Sequence, residues 1–225
     1  ANFVLTRFEP AVAYLRRTGP VLALGLSILP LLLGLVLHIR AVASVGSAWH
    51  YTLGWGYVVA MALTAAACRA AALLHRSGKP WLVTVYLFGG GGSLMLMASG
   101  ILLCYDPDLP WVWIAPVLLV IPLAFLAAAP FYRGRALEMP VVWAAHAMTL
   151  VLVASCLGVA FEGFKALHDQ PTNLPLAAFF AAAAVFYLLA ALWRDRQFAV
   201  YACAAAAAAA VWQLLAYRDL EPEYY

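Results

Sequence analysis

The stretch Val141–Phe164, VVWAAHAMTLVLVASCLGVAFEGF, decides how the chain is read. At about 1.5 Å of rise per residue it makes a helix of about 36 Å, enough to cross a hydrocarbon layer of about 30 Å. It is apolar on every side, so no face is left for water, and its surroundings must be lipid or protein. Two groups stand out against that background. His146 lies well inside the apolar run, and Glu162 lies where the run ends.

The rest of the chain repeats the pattern. Further apolar runs cover Val21–Val42, Tyr51–Leu74, Trp81–Cys104, Trp111–Ala129, Leu176–Trp193 and Phe198–Tyr217. The chain is 67% hydrophobic and 10% charged, with a mean hydropathy of +0.92. Soluble domains run near ~45–50% apolar and about 25% charged. The sequence therefore predicts an all-α polytopic membrane bundle of seven transmembrane helices. Residues 1–19 read as an interfacial segment, 20–217 as the transmembrane domain and 218–225 as a polar tail.

Within residues 1–18, Phe8, Val12 and Leu15 are suited to lipid, and Arg16 and Arg17 to headgroups. Arg7, Glu9, Arg16 and Arg17 interrupt any apolar run, so this segment does not read as a cleavable signal peptide. Pro30 in the first span, and Pro116 and Pro122 in the fourth, predict bent helices, which membrane spans tolerate. Gly89-Gly90-Gly91-Gly92 lies at the centre of the third span. A break there would leave two pieces too short to cross, so the run reads as one helix with a close-contact surface. Alanines Ala181–Ala184 and Ala204–Ala210 suit close approach of the last two spans, which the short loop Arg194-Asp195-Arg196-Gln197 makes an antiparallel hairpin.

Charge sorts the loops. Arg7, Arg16, Arg17, Arg69, Arg76, Lys79, Arg133, Arg135, Arg194 and Arg196 fall on one side, and Arg40, Lys165 and Arg218 on the other. The positive-inside rule then predicts a cytoplasmic N-terminus and an outside C-terminus, in what reads as a bacterial inner membrane. The 13 Lys and Arg are dispersed between apolar runs, which argues against a nucleic-acid partner. Cys68, Cys104, Cys156 and Cys203 fall one each in four spans, with no CxxC or Cys/His spacing for a disulfide frame or a zinc site.

The polar groups form two expected layers. One holds His38, His50, Asp106, Asp108, Glu162 and His168, whose imidazoles and carboxylates together suit a metal or a polar or cationic ligand, though none of their spacings is a recognised ligand pattern. The other holds Arg69, His75 and His146. His146 lies about 8 Å inside the boundary, where a histidine must hydrogen-bond or coordinate. With His75 it is the candidate ligand set for a haem or a chlorophyll-type pigment.

Three families were weighed on their motifs. A retinal-binding rhodopsin needs a lysine in the last span, but the only lysines, Lys79 and Lys165, are in loops. A rhomboid-type protease would use Ser93 and His146, but Leu94 stands where that family has a glycine. Trp49-His50-Tyr51-Thr52 shares three letters with the MHYT sensor motif, which that family repeats and this chain carries once. None of the three is adopted. No acidic residue lies inside a span as a proton relay. The expectation is a membrane subunit of a larger complex, scaffolding or holding a redox or pigment cofactor through histidine. The alternative is a small transporter or ligand-sensing protein with a polar site on its outer face. An isolated enzyme is the weaker reading.

Overall fold

The fold is seen in a computed structural model that describes residues 25, 28–44, 51–74, 80–163, 172–194 and 197–218. Every regular element among them is helical. The reason is the solvent: in lipid each backbone N–H and C=O must be satisfied within its own segment, which a helix does. The elements are α1 (Ile28–Ala43), α2 (Trp55–Leu74), α3 (Pro80–Tyr105), α4 (Trp111–Leu118), α5 (Val120–Ala128), a 3-10 turn (Ala129–Tyr132), α6 (Glu138–Gly163), α7 (Asn173–Arg194) and α8 (Gln197–Tyr217).

Six helical runs among the described residues are long and apolar enough to cross a membrane, with α4, α5 and the 3-10 turn together forming one of them. The all-α membrane bundle expected from the sequence is the observed architecture. α1 is a shorter apolar helix. The beginning of its expected span at Val21, the interfacial segment 1–18 and most of the polar tail lie outside the described residues.

The opening stretch forms α6, which together with α3 stands at the centre of the packing. α6 meets α3, α4, α5 and α7. Its buried stripe is Ala144, Ala145, Met148, Thr149, Leu152 and Cys156, spaced three and four apart on one face, while Leu150 and Val151 point outward to lipid. α2 pairs with α3, and α7 with α8, as two tight antiparallel hairpins.

α3 is helical straight through Gly89–Gly92. The glycines serve two neighbours at once. A Cβ on Gly90 would lie 3.3 Å from Cys68 Cβ of α2, and one on Gly91 would lie 2.8 Å from Met148 Cε of α6. A side chain at Gly90 would press on α2 and one at Gly91 would displace the end of the Met148 side chain, so the absence of side chains here lets both neighbours approach closely.

The fourth span breaks at Leu119, where α4 hands over to α5. The cause is Pro122. It has no N–H to offer the carbonyl four residues back, at Leu118, and its ring crowds that same oxygen. The backbone at Leu119 stays helical, and Leu123 N–H still donates to the Leu119 carbonyl, so the interruption is confined to one turn.

Two ends of the bundle can be told apart by chain order. One, here the turn end, carries the α3–α4 turn and the last residues of α1 and α8. The other, the loop end, carries the last residues of α2 and the segment from Tyr132 to Glu138 that leads into α6.

Candidate functional site

His38 is the most deeply placed of the sequence-selected residues that the structure describes. The sequence suggests that it marks the end of the first span. α1 runs on to Ala43, so His38 sits more than a turn inside it. The ring is 5% exposed on a helix whose other faces are mostly open, with Leu33 at 61% and Val36 at 60%. It points into the bundle.

There it meets α3 and α4. His38 Nε2 lies 3.2 Å from Ser99 Oγ. The ring stands edge-on to Trp111, with centroids 5.8 Å apart and planes at 70°. Trp111 Nε1–H donates to Ser155 Oγ of α6 at 3.2 Å, and Ser155 Oγ donates to the Leu152 carbonyl at 2.7 Å. Four helices are thus joined by one string of polar contacts near the turn end.

The string is incomplete. His38 Nδ1 is buried and has no hydrogen-bond partner among the described residues. Whichever tautomer the ring adopts, one nitrogen is left as an unpaired donor or acceptor. Leaving such a group unsatisfied costs about 1–3 kcal/mol, so a fold that keeps it implies something that meets it.

The ring lines a cavity of about 520 Å³ between α1, α3, α4 and α6. Apart from His38, Ser99, Trp111 and Ser155, its walls are apolar side chains such as Phe88, Met95 and Leu118, with Gly92 among them. Leu35 and Ile39 of α1 and Val151 of α6 also line it, and these are 42%, 56% and 54% exposed. The cavity therefore opens sideways between α1 and α6, toward hydrocarbon rather than water. Small-molecule sites of ~300–1,000 Å³, mostly apolar with a few fixed polar groups, have this character.

Of the other members of the expected outer cluster, the two that are described, Asp106 and Asp108, do not join His38. Asp106 and Asp108 are exposed on the α3–α4 turn, where Asp108 N–H donates to Asp106 Oδ1 at 3.2 Å. Both are occupied in shaping that turn. His50 and His168 lie outside the described residues, as does the side chain of Glu162, whose backbone belongs to α6. No three His, Cys, Asp or Glu side chains gather as a metal site among the described residues.

His146 occupies a different environment. It stacks on Tyr187 at 6.1 Å and 17°, and meets Phe186 and Phe198 edge-on at 5.5 Å each. Three rings from α7 and α8 thus surround the position where a macrocycle would approach. Its expected companion His75 lies outside the described residues. Arg69 stands away from His146, on α2, facing a groove between α2, α3 and α5. Ser93 donates to the Gly89 carbonyl of its own helix at 2.9 Å and makes no hydrogen bond to His146.

Ser99, Trp111 and Ser155 carry no local sequence signal. Trp111 reads as an interfacial belt residue, and the serines as small residues in a span. Only the assembled bundle brings them to His38. Comparison with known proteins finds no matching family model, no similar curated protein and no similar solved structure.

Proposed function

We propose that this chain is a membrane-embedded binding protein for an apolar small molecule that carries one hydrogen-bonding group. The observation that supports it is the buried, unpartnered His38 Nδ1 on the wall of a laterally open cavity. A ligand dissolved in the bilayer enters between α1 and α6. It fills the apolar volume and places a hydroxyl or carbonyl against the imidazole. Ser99 holds the ring from its other nitrogen, and Trp111 closes one wall. This reading sharpens the ligand-sensing or transport alternative, with the site moved from wetted loops into the bilayer.

The experiment is native mass spectrometry on protein extracted gently from its own membrane. The expected result is a small-molecule adduct on the wild type that is lost in His38→Leu while the far-ultraviolet helical signal is kept. An adduct retained at wild-type occupancy in His38→Leu would sink the reading.

A second reading rests on α8. Only 11% of its span is buried, against 44% for α3, α6 and α7. Ala204, Ala205, Ala207 and Ala208 are exposed, a smooth surface on which another membrane helix can pack closely. That supports assembly with further membrane subunits, and a lone monomer in mild detergent would count against it. A cofactor held through His146 belongs to the same reading. A visible absorption band in the purified protein, lost in His146→Phe, is its test. The charge bias of the loops supports a cytoplasmic N-terminus and a bacterial inner membrane.

A further inference from the structure

Arg69 is the only charged residue more than four positions from either end of a described helix. It precedes the end of α2 at Leu74 by five residues, about 7–8 Å at 1.5 Å each. It is exposed, and it makes no ion pair among the described residues. An arginine this close to a helix end extends its long side chain to the headgroup layer, where an anionic group can pair with it.

Arg69 stands on the wall of a groove of about 410 Å³ between α2, α3 and α5. Tyr132 lines the same groove near the loop end and brings a phenolic hydroxyl. Below these two, the walls are apolar: Leu87, Leu94, Ile121 and Phe125, with Gly90 and Ala124 leaving room. The groove reaches from Tyr132 to Val120, twelve residues, or about 18 Å of helix. One leaflet of hydrocarbon is about 15 Å deep, half of the ~30 Å layer. The groove therefore has the length of a single acyl layer, an apolar floor, and a cation at its headgroup end. Arg133 and Arg135 are exposed on the adjoining loop and add to the positive field there.

We propose that this groove is a specific site for an anionic phospholipid, its phosphate on the Arg69 guanidinium and the Tyr132 hydroxyl, and an acyl chain along α5. The guanidinium fork matches two phosphate oxygens at once. Basic pockets between membrane helices take anionic headgroups on the same physical grounds. The site shares no lining residue with the His38 cavity and lies nearer the other end of the bundle, with α3 between the two.

The test is native mass spectrometry of the full chain in detergent titrated with phosphatidylglycerol or, separately, phosphatidylcholine of the same acyl chains. The wild type is expected to bind the anionic lipid roughly tenfold more tightly, the value of one good charge-assisted contact at a half-wetted site. R69Q removes that preference. A124F, which fills the groove and keeps the arginine, weakens both lipids together. R133Q, which lowers the charge of the same end without lining the groove, keeps the preference within about twofold. Equal affinity of the wild type for the two lipids overturns the proposal. So does a preference that survives R69Q, or one that R133Q lowers as much as R69Q does, because the attraction would then belong to the basic surface and not to this groove.

Discussion

Gly100 of α3 offers the sharpest check on the packing. A Cβ placed there would lie 2.7 Å from Tyr57 Cε1 and 2.8 Å from Tyr57 Cδ1, with Val58 Cγ2 at 3.5 Å. These are ring atoms on the partner helix of the α2–α3 hairpin, so the methyl of Gly100→Ala cannot be accommodated by swinging a flexible chain end. Gly92, on the same helix, is the control. A Cβ there meets only Leu31 Cδ1, at 4.0 Å. Both substitutions gain the same helix preference of alanine over glycine, about 0.5–1 kcal/mol, so that term cancels between them. What remains is overpacking at Gly100, about 1–3 kcal/mol. At roughly 2–4 °C per kcal/mol for a chain of this size, Gly100→Ala should melt roughly 2–12 °C below Gly92→Ala. Reversible unfolding in mixed micelles, followed by circular dichroism, reads the difference. Tyr57→Ala should abolish it, because the cycle isolates the contact between the two positions. Equal melting of the two alanine variants, or a Gly100→Ala penalty unchanged on the Tyr57→Ala background, would refute the α2–α3 packing described above.

Trp111→Phe keeps an aromatic ring but removes the N–H donated to Ser155 and part of the ring volume, so it should cost at least about 1 kcal/mol in the same unfolding assay. His38→Leu removes a half-satisfied buried ring and leaves Ser99 able to bond back to its own helix; its stability should fall within ~1 kcal/mol of wild type, so any loss of adduct in that variant reports binding rather than unfolding. Ser93→Ala should be close to neutral in stability, because the hydroxyl only bonds back to the Gly89 carbonyl, and any covalent labelling of Ser93 by a serine-reactive probe would contradict its place in the fold. A reporter fused after Tyr225 is expected to read as outside; a cytoplasmic signal would overturn the orientation taken from the loop charges.

The candidate site was legible only in part. His38 drew notice because an imidazole near the end of an apolar run is unusual, but its neighbours did not. Ser99 is 61 residues away along the chain, and the bond that ties Trp111 to Ser155 spans 44. Such partners are set by which helix faces meet, and a span that is apolar on every side gives no periodic cue to its facing. His146 stands out in the sequence for lying well inside its apolar run, yet it packs against Phe186, Tyr187 and Phe198, a cage that has no mark in the local sequence. Arg69 and His146 looked like one polar layer by depth alone. Depth is one coordinate of three, and the bundle puts Arg69 on the α2–α3 hairpin and His146 against the rings of α7 and α8.

By itself the sequence determined the solvent, the secondary structure and the number of long apolar runs, because each follows from local composition: lipid requires helices, and run length decides which of them can cross. It also determined that the fourth span bends, since Pro122 withdraws a hydrogen bond wherever the helix is placed. Tertiary structure alone decided that α3 and α6 stand at the centre of the packing, that Gly90 and Gly91 serve two neighbours at once, and that His38 turns inward onto Ser99 and Trp111 beside a cavity open to the bilayer. Those outcomes depend on the rotation of each helix about its axis. Rotation is fixed by the fit of side chains between helices, and no single uniformly apolar span encodes it.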